Sequence, residues 1–321
     1  MISFVIPVYN EEESLPTFYE RLTKAAQKIR ENYEVLFIDD GSTDATLTLL
    51  QNYEKKDKHV KIFSFRKNQG KSEGLTLGFQ MAKGDYVVTL DADLQDLPEE
   101  VEKLYKRAKE GYDLVAGWRK DRKDPLKKIL SSKLFNFIAK FFWGLDMHDY
   151  NCGLKLYAKD AAKSLRLYGG MHRFIPLLVY GQGFNVVEEP VEHSIRLYGK
   201  SKYGFSKLWK DLPDILTMLF ITKYSKRPLH FFGMVGGLLF TIGIVVLVYL
   251  TGVHFSGHAI GSRPLLLLGI VLLLAGLQVL ITGFLADLII NLSHTPRSIE
   301  ERMYFHLKYR SDKKEGGNLS I

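Results

Sequence analysis

The sequence predicts an α/β domain built on a mostly parallel sheet, followed by a two-helix membrane hairpin. Three observations carry this. Over the first ~120 residues, short apolar runs alternate with segments of helical periodicity. Acidic or glycine-rich clusters follow those runs, where open α/β sheets gather ligands beyond the carboxyl ends of their strands. Two late stretches, 229–250 and 264–286, carry no formal charge, and each exceeds the ~20 residues that cross a bilayer core.

The first strand spans 2–8, and Tyr9-Asn10-Glu11-Glu12-Glu13 is expected to open a helix with carboxylates at its positive end. Leu15, Phe18, Leu22, Ala25, Ala26 and Ile29 then recur at helical spacing. A second strand over 35–38 ends in Asp39-Asp40-Gly41-Ser42-Thr43-Asp44, with Ser42 or Thr43 as caps for the next helix. A third, 60–65, leads to Asn68-Gln69-Gly70-Lys71-Ser72-Glu73-Gly74 and a helix carrying Leu75, Leu77 and Met81. A fourth, 86–90, runs into Asp91-Ala92-Asp93-Leu94-Gln95-Asp96-Leu97-Pro98.

This last stretch organises the domain. Carboxylates at i and i+2 of an extended backbone share one face. Asp91 and Asp93 in that arrangement suit Mg²⁺ or Mn²⁺, with a diphosphate completing the shell. Aspartates also favour loops and helix starts, and Asp96 has capping-box spacing to Glu99.

Residues 114–118 read as a fifth strand, 154–157 as a sixth and 185–190 as a seventh. Between them, 134–143 is basic at its approach and rich in Phe and Trp, fitting either a core helix or a flank lying against lipid. Two helices lie between the sixth and seventh strands, with His172-Arg173-Phe174 at the start of the second. Residues 195–204 pack glycines, Ser201 and the cations Arg196, Lys200 and Lys202 into a segment able to bind phosphate.

Lys and Arg number 44 against 36 Asp and Glu, a formal charge of +8. Membrane-proximal lysines and arginines account for this excess without nucleic acid. The single Cys152 excludes an intrachain disulfide and argues against a cysteine-based zinc site. The start of the chain reads as a strand and lacks the basic region of a signal peptide. Residues 206–228 form an amphipathic interfacial segment before the spans, and 291–321 a basic tail with a polar, disordered end. Lys223, Lys226 and Arg227 precede the first span, and Arg297, Arg302, Lys308 and Arg310 follow the second. The connecting loop has no cation before Arg263. Both termini and the globular domain are therefore expected on the cytoplasmic side of the cell membrane.

With these residues in view, residues 2–205 resemble family 2 glycosyltransferases of the GT-A fold. More narrowly, the chain is similar to the polyisoprenyl-phosphate glycosyltransferases, the group of dolichol-phosphate mannose synthase and bacterial undecaprenyl-phosphate sugar transferases. Ile6-Pro7-Val8-Tyr9-Asn10-Glu11, Asp39-Asp40-Gly41-Ser42-Thr43-Asp44 and Asp91-Ala92-Asp93-Leu94-Gln95 carry the resemblance in this order. It implies that Pro7, Tyr9, Glu11, Asp39 and Asp91 hold the donor nucleoside, and that Asp91, Asp93 and Gln95 form the metal and diphosphate site. It further implies that Arg119, Arg196, Ser201 and Lys202 gather phosphates, that Lys127 and Ser131 stand where the family has an arginine and a serine, and that Asp149 lies near the reacting sugar.

The implied reaction is an inverting, metal-dependent transfer of a hexose, from UDP-glucose or a related UDP-sugar, to undecaprenyl or dolichyl phosphate. The lipid-linked sugar would serve cell-envelope or glycan modification. A phosphate monoester is largely dianionic at neutral pH, so this acceptor needs no base. Catalysis would rest on Asp91, Asp93, Asp149 and Arg196, with Asp149 steadying or orienting the sugar. A homotetramer is implied by bacterial relatives. Transfer to a lipid alcohol such as diacylglycerol is the main alternative, and it would need a base. A non-catalytic membrane scaffold is the other. A processive polysaccharide synthase would carry more spans and a Gln-x-x-Arg-Trp motif, which this sequence lacks.

Overall fold

A computed structural model describes residues 1–120, 136, 139–194, 217, 218, 220–224, 227–261 and 263–293. The chain divides into two compact units, Met1–Met218 and Leu219–Ile321. The first holds strands β1 (Ile2–Val8), β2 (Tyr33–Asp39), β3 (Val60–Ser64), β4 (Tyr86–Thr89), β5 (Leu114–Arg119), β6 (Lys155–Ala158) and β7 (Val186–Val191). Its helices are α1 (Leu15–Ile29), α2 (Thr46–Lys56), α3 (Lys71–Met81), α4 (Val101–Ala108), α5 (Lys159–Ser164) and α6 (Ile175–Gly181).

The seven strands form one sheet in the order β3-β2-β1-β4-β6-β5-β7. All run parallel except β6, which is antiparallel to both β4 and β5. The predicted mostly parallel α/β fold is therefore present. Strand order reverses between β1 and β4, the topological switch point where such sheets open a crevice. Largely apolar runs make the central strands β1, β2 and β4, whose two faces are both covered. On one face Phe4, Ile6, Val35, Phe37, Val88 and Leu156 pack with Leu15, Phe18 and Leu22 of α1 and Leu104 of α4. On the other, α3 presses so close to β1 that a Cβ on Gly78 would overlap the Val5 side chain.

Two local expectations are corrected. α1 begins at Leu15 with no acidic residue in its first turn, so Glu11, Glu12 and Glu13 precede it. The Leu15 N–H donates to the Glu11 carbonyl, and Glu12 accepts from the Ala45 N–H at 2.8 Å, across the β2–α2 connection. Neither Ser42 nor Thr43 caps α2, which starts at Thr46. Instead the Asn10 N–H donates to Ser42 Oγ at 3.0 Å and the Thr43 N–H to Asn10 Oδ1 at 2.8 Å, which ties the loop after β1 to the loop after β2. Asn10 itself lies in the left-handed region, φ 52°.

The second unit contains helices α7 (Pro228–Phe255) and α8 (Pro264–Ser293), both long and apolar enough to cross a membrane. Both outrun the stretches expected from charge alone, and α8 carries Asp287 inside the helix. They pack along glycines spaced seven apart: Gly236 and Gly243 on α7, and Gly269, Gly276 and Gly283 on α8. A Cβ at Gly243 would lie 2.6 Å from the Leu273 nitrogen, and one at Gly236 would lie 2.8 Å from the Gly276 carbonyl oxygen. Small residues at such a seam let two backbones approach closely. Of the expected interfacial segment 206–228, residues 217 and 218 are helical and Phe220–Tyr224 forms a π-helical turn. The remainder of that segment, apart from 227 and 228, lies outside the described residues, as does the tail beyond 293.

Candidate active site

The crevice lies at the carboxyl ends of β1 and β4. A narrow cleft is lined by Pro7, Lys71, Asp91, Gly153, Lys155 and His172, among others. β1 delivers Pro7 and then Tyr9. β4 delivers Asp91 and, after a turn, Asp93, whose Oδ1 accepts the Gln95 N–H at 3.1 Å. Leu94 is left-handed, φ 61°, a conformation unfavourable for a branched aliphatic residue and one that gathers at functional sites.

Asp91 accepts a hydrogen bond from Lys71 Nζ at 2.5 Å. Burial alone would raise its carboxyl, but the Lys71 charge and hydrogen bond outweigh this and hold it below the ordinary range. Asp96, expected as a helix cap, is instead buried beside Asp91. Leu97 takes the cap position of the 3₁₀ turn that starts at Pro98. Burial and the charges of Asp91 and Asp93 push the Asp96 carboxyl up to about 6.

Gly153 makes room for the two carboxylates. A Cβ there would stand 2.5 Å from Asp96 Oδ2 and 2.9 Å from Asp91 Oδ2. The loop 151–153 precedes β6, and because β6 runs antiparallel its entrance, not its exit, meets this edge of the sheet. Lys155 follows on β6, 3% exposed, donating to the Cys152 carbonyl, with burial holding its ammonium below the usual range.

The first turn of α3 closes another side. Asp40 accepts the Gln69 and Gly70 N–H groups at 2.6 and 2.9 Å, and Gly70 takes φ +101°, which fixes the helix start. Ser72 Oγ donates to the Gly169 carbonyl at 2.7 Å and meets His172 Nδ1 at 3.0 Å. Burial first, then the charges of Lys71 and Arg173, bring His172 down to about 3. That value lies below the ~6.5 of the unfolded chain. Between the two the unfolded chain binds more protons, so this contribution to stability is complete above about pH 6.5 and is lost as pH falls. On moving from pH 7 to pH 5, the wild type is expected to lose about 2 kcal/mol more than His172→Gln. Parallel melts at the two pH values test this, and an equal drop in both proteins would refute it.

Arg119 ends β5 and forms a bidentate pair with Asp149, Nε to Oδ2 at 2.7 Å and Nη2 to Oδ1 at 3.0 Å. Their side chains are 14% and 1% exposed. Glu188 of β7 accepts the N–H groups of His148 and Asp149, at 2.8 and 2.7 Å, and so holds Asp149 in place. His148 stacks on Trp118 with ring centres 4.2 Å apart. Asp149 is thus a buried partner of Arg119 and is not open to solvent.

The other expected residues fall as follows. Asp39 is fully buried, accepting the Ser42 N–H at 3.1 Å and the Ser64 hydroxyl at 2.6 Å. Glu11 accepts the Ser14 hydroxyl at 2.8 Å; Pro7 lines the cleft, whereas Tyr9 and Glu11 are not among its lining residues. Lys127, Ser131, Arg196, Ser201 and Lys202 lie outside the described residues. The chain enters the segment of the last three from Ser194, whose N–H donates to the Gln95 carbonyl at 3.0 Å.

A model of the family described as "Glycosyl transferase family 2" matches residues 3–166. The chain is 37% identical over 297 residues to the dodecaprenyl-phosphate galacturonate synthase of Rhizobium johnstonii, covering 90% of this chain and 87% of that protein. The chain belongs to glycosyl transferase family 2. A second relative in this family, the undecaprenyl-phosphate 4-deoxy-4-formamido-L-arabinose transferase of Photorhabdus laumondii, is 32% identical over 320 residues, spanning 99% of this chain and 96% of its own length. The fold is also of the GT-A type shared by solved glycosyltransferases. Glucosyl-3-phosphoglycerate synthase from Mycobacterium tuberculosis, solved with Mn²⁺, UDP-glucose and phosphoglyceric acid, superposes with a TM-score of 0.52 at 18% identity, over 69% of this chain and 79% of that one.

Asp91, Asp93 and Gln95 fit a divalent cation by donor type, since all offer hard oxygens. Burial first, and then the negative charge of Asp91 and Asp93, raise the Asp96 carboxyl, and a cation would relieve the charge part of this. Among the described residues no three His, Cys, Asp or Glu side chains form a closed metal cage. An ion held there would complete its shell with oxygens from water or a bound ligand.

Proposed function

We propose that this family 2 glycosyltransferase moves a sugar from a UDP-sugar to a polyprenyl phosphate, with inversion and with Mg²⁺ or Mn²⁺. The observation that carries this reading is similarity to polyprenyl-phosphate sugar synthases over nearly the whole chain, both apolar helices included. Asp91, Asp93 and Gln95 would hold the metal, which when bound supplies a Lewis acid for the leaving diphosphate. Pro7, Tyr9 and Glu11 would bind the nucleoside, with Asp39 and Asp40 supporting the loops around it. Arg119 offers positive charge to phosphate, and Asp149 acts by orienting Arg119. Arg196, Ser201 and Lys202, a few residues beyond the Ser194–Gln95 contact, would complete the phosphate site, with Lys127 and Ser131.

No group needs to act as a base. The acceptor phosphate carries its own nucleophilic oxygen as a dianion near neutral pH. The chain's work is to place that oxygen in line with the anomeric carbon and to stabilise charge on the departing diphosphate. The apolar helices would seat the enzyme in the cell membrane, with the domain and both termini cytoplasmic.

The test is transfer in detergent with Mn²⁺, offering labelled UDP-glucose, UDP-galacturonate and GDP-mannose to polyprenyl phosphate and to the matched polyprenol. Label is expected in lipid with the phosphate alone, and from a UDP-sugar. Equal transfer to the free alcohol would overturn the base-free reading. Transfer from GDP-mannose alone would overturn the donor assignment.

A further inference from the structure

Two carboxylate–cation pairs stand at this edge of the sheet, and they differ in kind. Arg119 and Asp149 are sealed, joined through two parallel hydrogen bonds. Lys71 and Asp91 share a single hydrogen bond, and their side chains are 31% and 36% exposed. Lysine brings a point charge on a flexible stem, without the planar fork that locks arginine to a carboxylate. The backbone beneath Lys71 is nevertheless fixed on both sides, by Asp40 on the Gln69 and Gly70 N–H groups and by Ser72 on Gly169. The ammonium can therefore leave Asp91 by rotation of its own stem while α3 stays in place.

We infer that Lys71 is an exchangeable counter-ion: it neutralises Asp91 in the empty enzyme, gives way to the divalent cation and then pairs with the donor diphosphate. The first half follows from charge. An ammonium and a divalent ion on one carboxylate repel each other, and at ~4 Å in a partly enclosed cleft that repulsion disfavours holding both. Once displaced, Lys71 remains at the first turn of α3, whose positive end favours an anion in the same cleft. The second half rests on the nucleotide-sugar reading above, and the first does not. This arrangement would keep the acidic cluster charge-balanced in the empty enzyme and favour metal and nucleotide entering together.

The two halves make predictions of opposite sign. Purified full-length protein in detergent is titrated with Mn²⁺ and free Mn²⁺ is read by electron paramagnetic resonance, without nucleotide. Lys71→Met is expected to bind Mn²⁺ about tenfold tighter than wild type, and Lys71→Arg to bind no tighter than wild type. At saturating Mn²⁺, Lys71→Met is then expected to bind UDP about tenfold more weakly. A lysine with a purely structural role would weaken both or neither. Unchanged or weaker Mn²⁺ binding by a folded Lys71→Met protein would overturn the counter-ion role. Tighter Mn²⁺ binding with unaltered UDP affinity would overturn the hand-over to diphosphate. Failure of the wild type to bind either UDP or GDP would sink the nucleotide-sugar reading and the hand-over with it, leaving the Mn²⁺ comparison to judge the counter-ion role alone.

Discussion

Asp91→Asn is expected to slow sugar transfer to polyprenyl phosphate by about 10²–10³-fold, the scale on which loss of one group facing developing charge is felt. Asparagine preserves the shape of the side chain and can still accept from Lys71, so the β4 edge and the α3 start should hold. What disappears is the negative charge that binds a metal and, through it, the leaving diphosphate. Turnover under saturating donor, set beside far-UV circular dichroism, separates chemistry from folding. Near-normal turnover would remove Asp91 from the proposed machinery. A large loss recovered by raising Mn²⁺ would assign Asp91 to metal affinity.

Arg119→Met is expected to destabilise the domain by about 3–5 kcal/mol, because it leaves Asp149 charged, buried and without its bidentate partner. The Glu188 carboxylate aggravates this, since it holds the Asp149 backbone where it is. Neutralising both partners, in Arg119→Met with Asp149→Asn, should recover most of that loss, as replacement of a whole buried pair is often near neutral. Activity should not return with stability if Arg119 also serves phosphate. Denaturant melts of the two single variants and the double variant form the cycle. A double variant as active as wild type would reduce Arg119 to a structural role.

The sheet was legible because its central strands β1, β2 and β4 are largely apolar, almost wholly buried runs followed by turn residues, and burial on both faces leaves little freedom in such runs. The place of Asp91 at the cleft was legible for a related reason: it directly follows a buried strand, at the edge where such sheets open. Asp96 was not, because its spacing to Glu99 imitates a helix cap while Gly153, which packs against it, is distant in sequence. Lys71 stood inside a recognised glycine-rich cluster, but nothing local says that its stem crosses to β4. Lys155 and the 151–153 loop were hidden by topology. The rule that sites lie after strands fails for one antiparallel strand, whose beginning reaches the site. Asp149 read as a group near the sugar, and its pairing with Arg119 depends on contacts from β5 and β7 that no linear pattern contains.

The seven-residue glycine seam between α7 and α8 bears on how this anchor comes to exist. A close-packed groove on a membrane helix commonly serves to recruit another polypeptide. Here the grooves of α7 and α8 are filled by each other within one chain. The outward surfaces that remain carry large aliphatic side chains such as Leu238, Val245, Leu274 and Leu288. Such a hairpin can mature as soon as its second helix leaves the ribosome, at any expression level, since its closure is unimolecular. Replacing Gly276 by valine would then be felt during biogenesis, as a hairpin whose two helices can no longer close on each other.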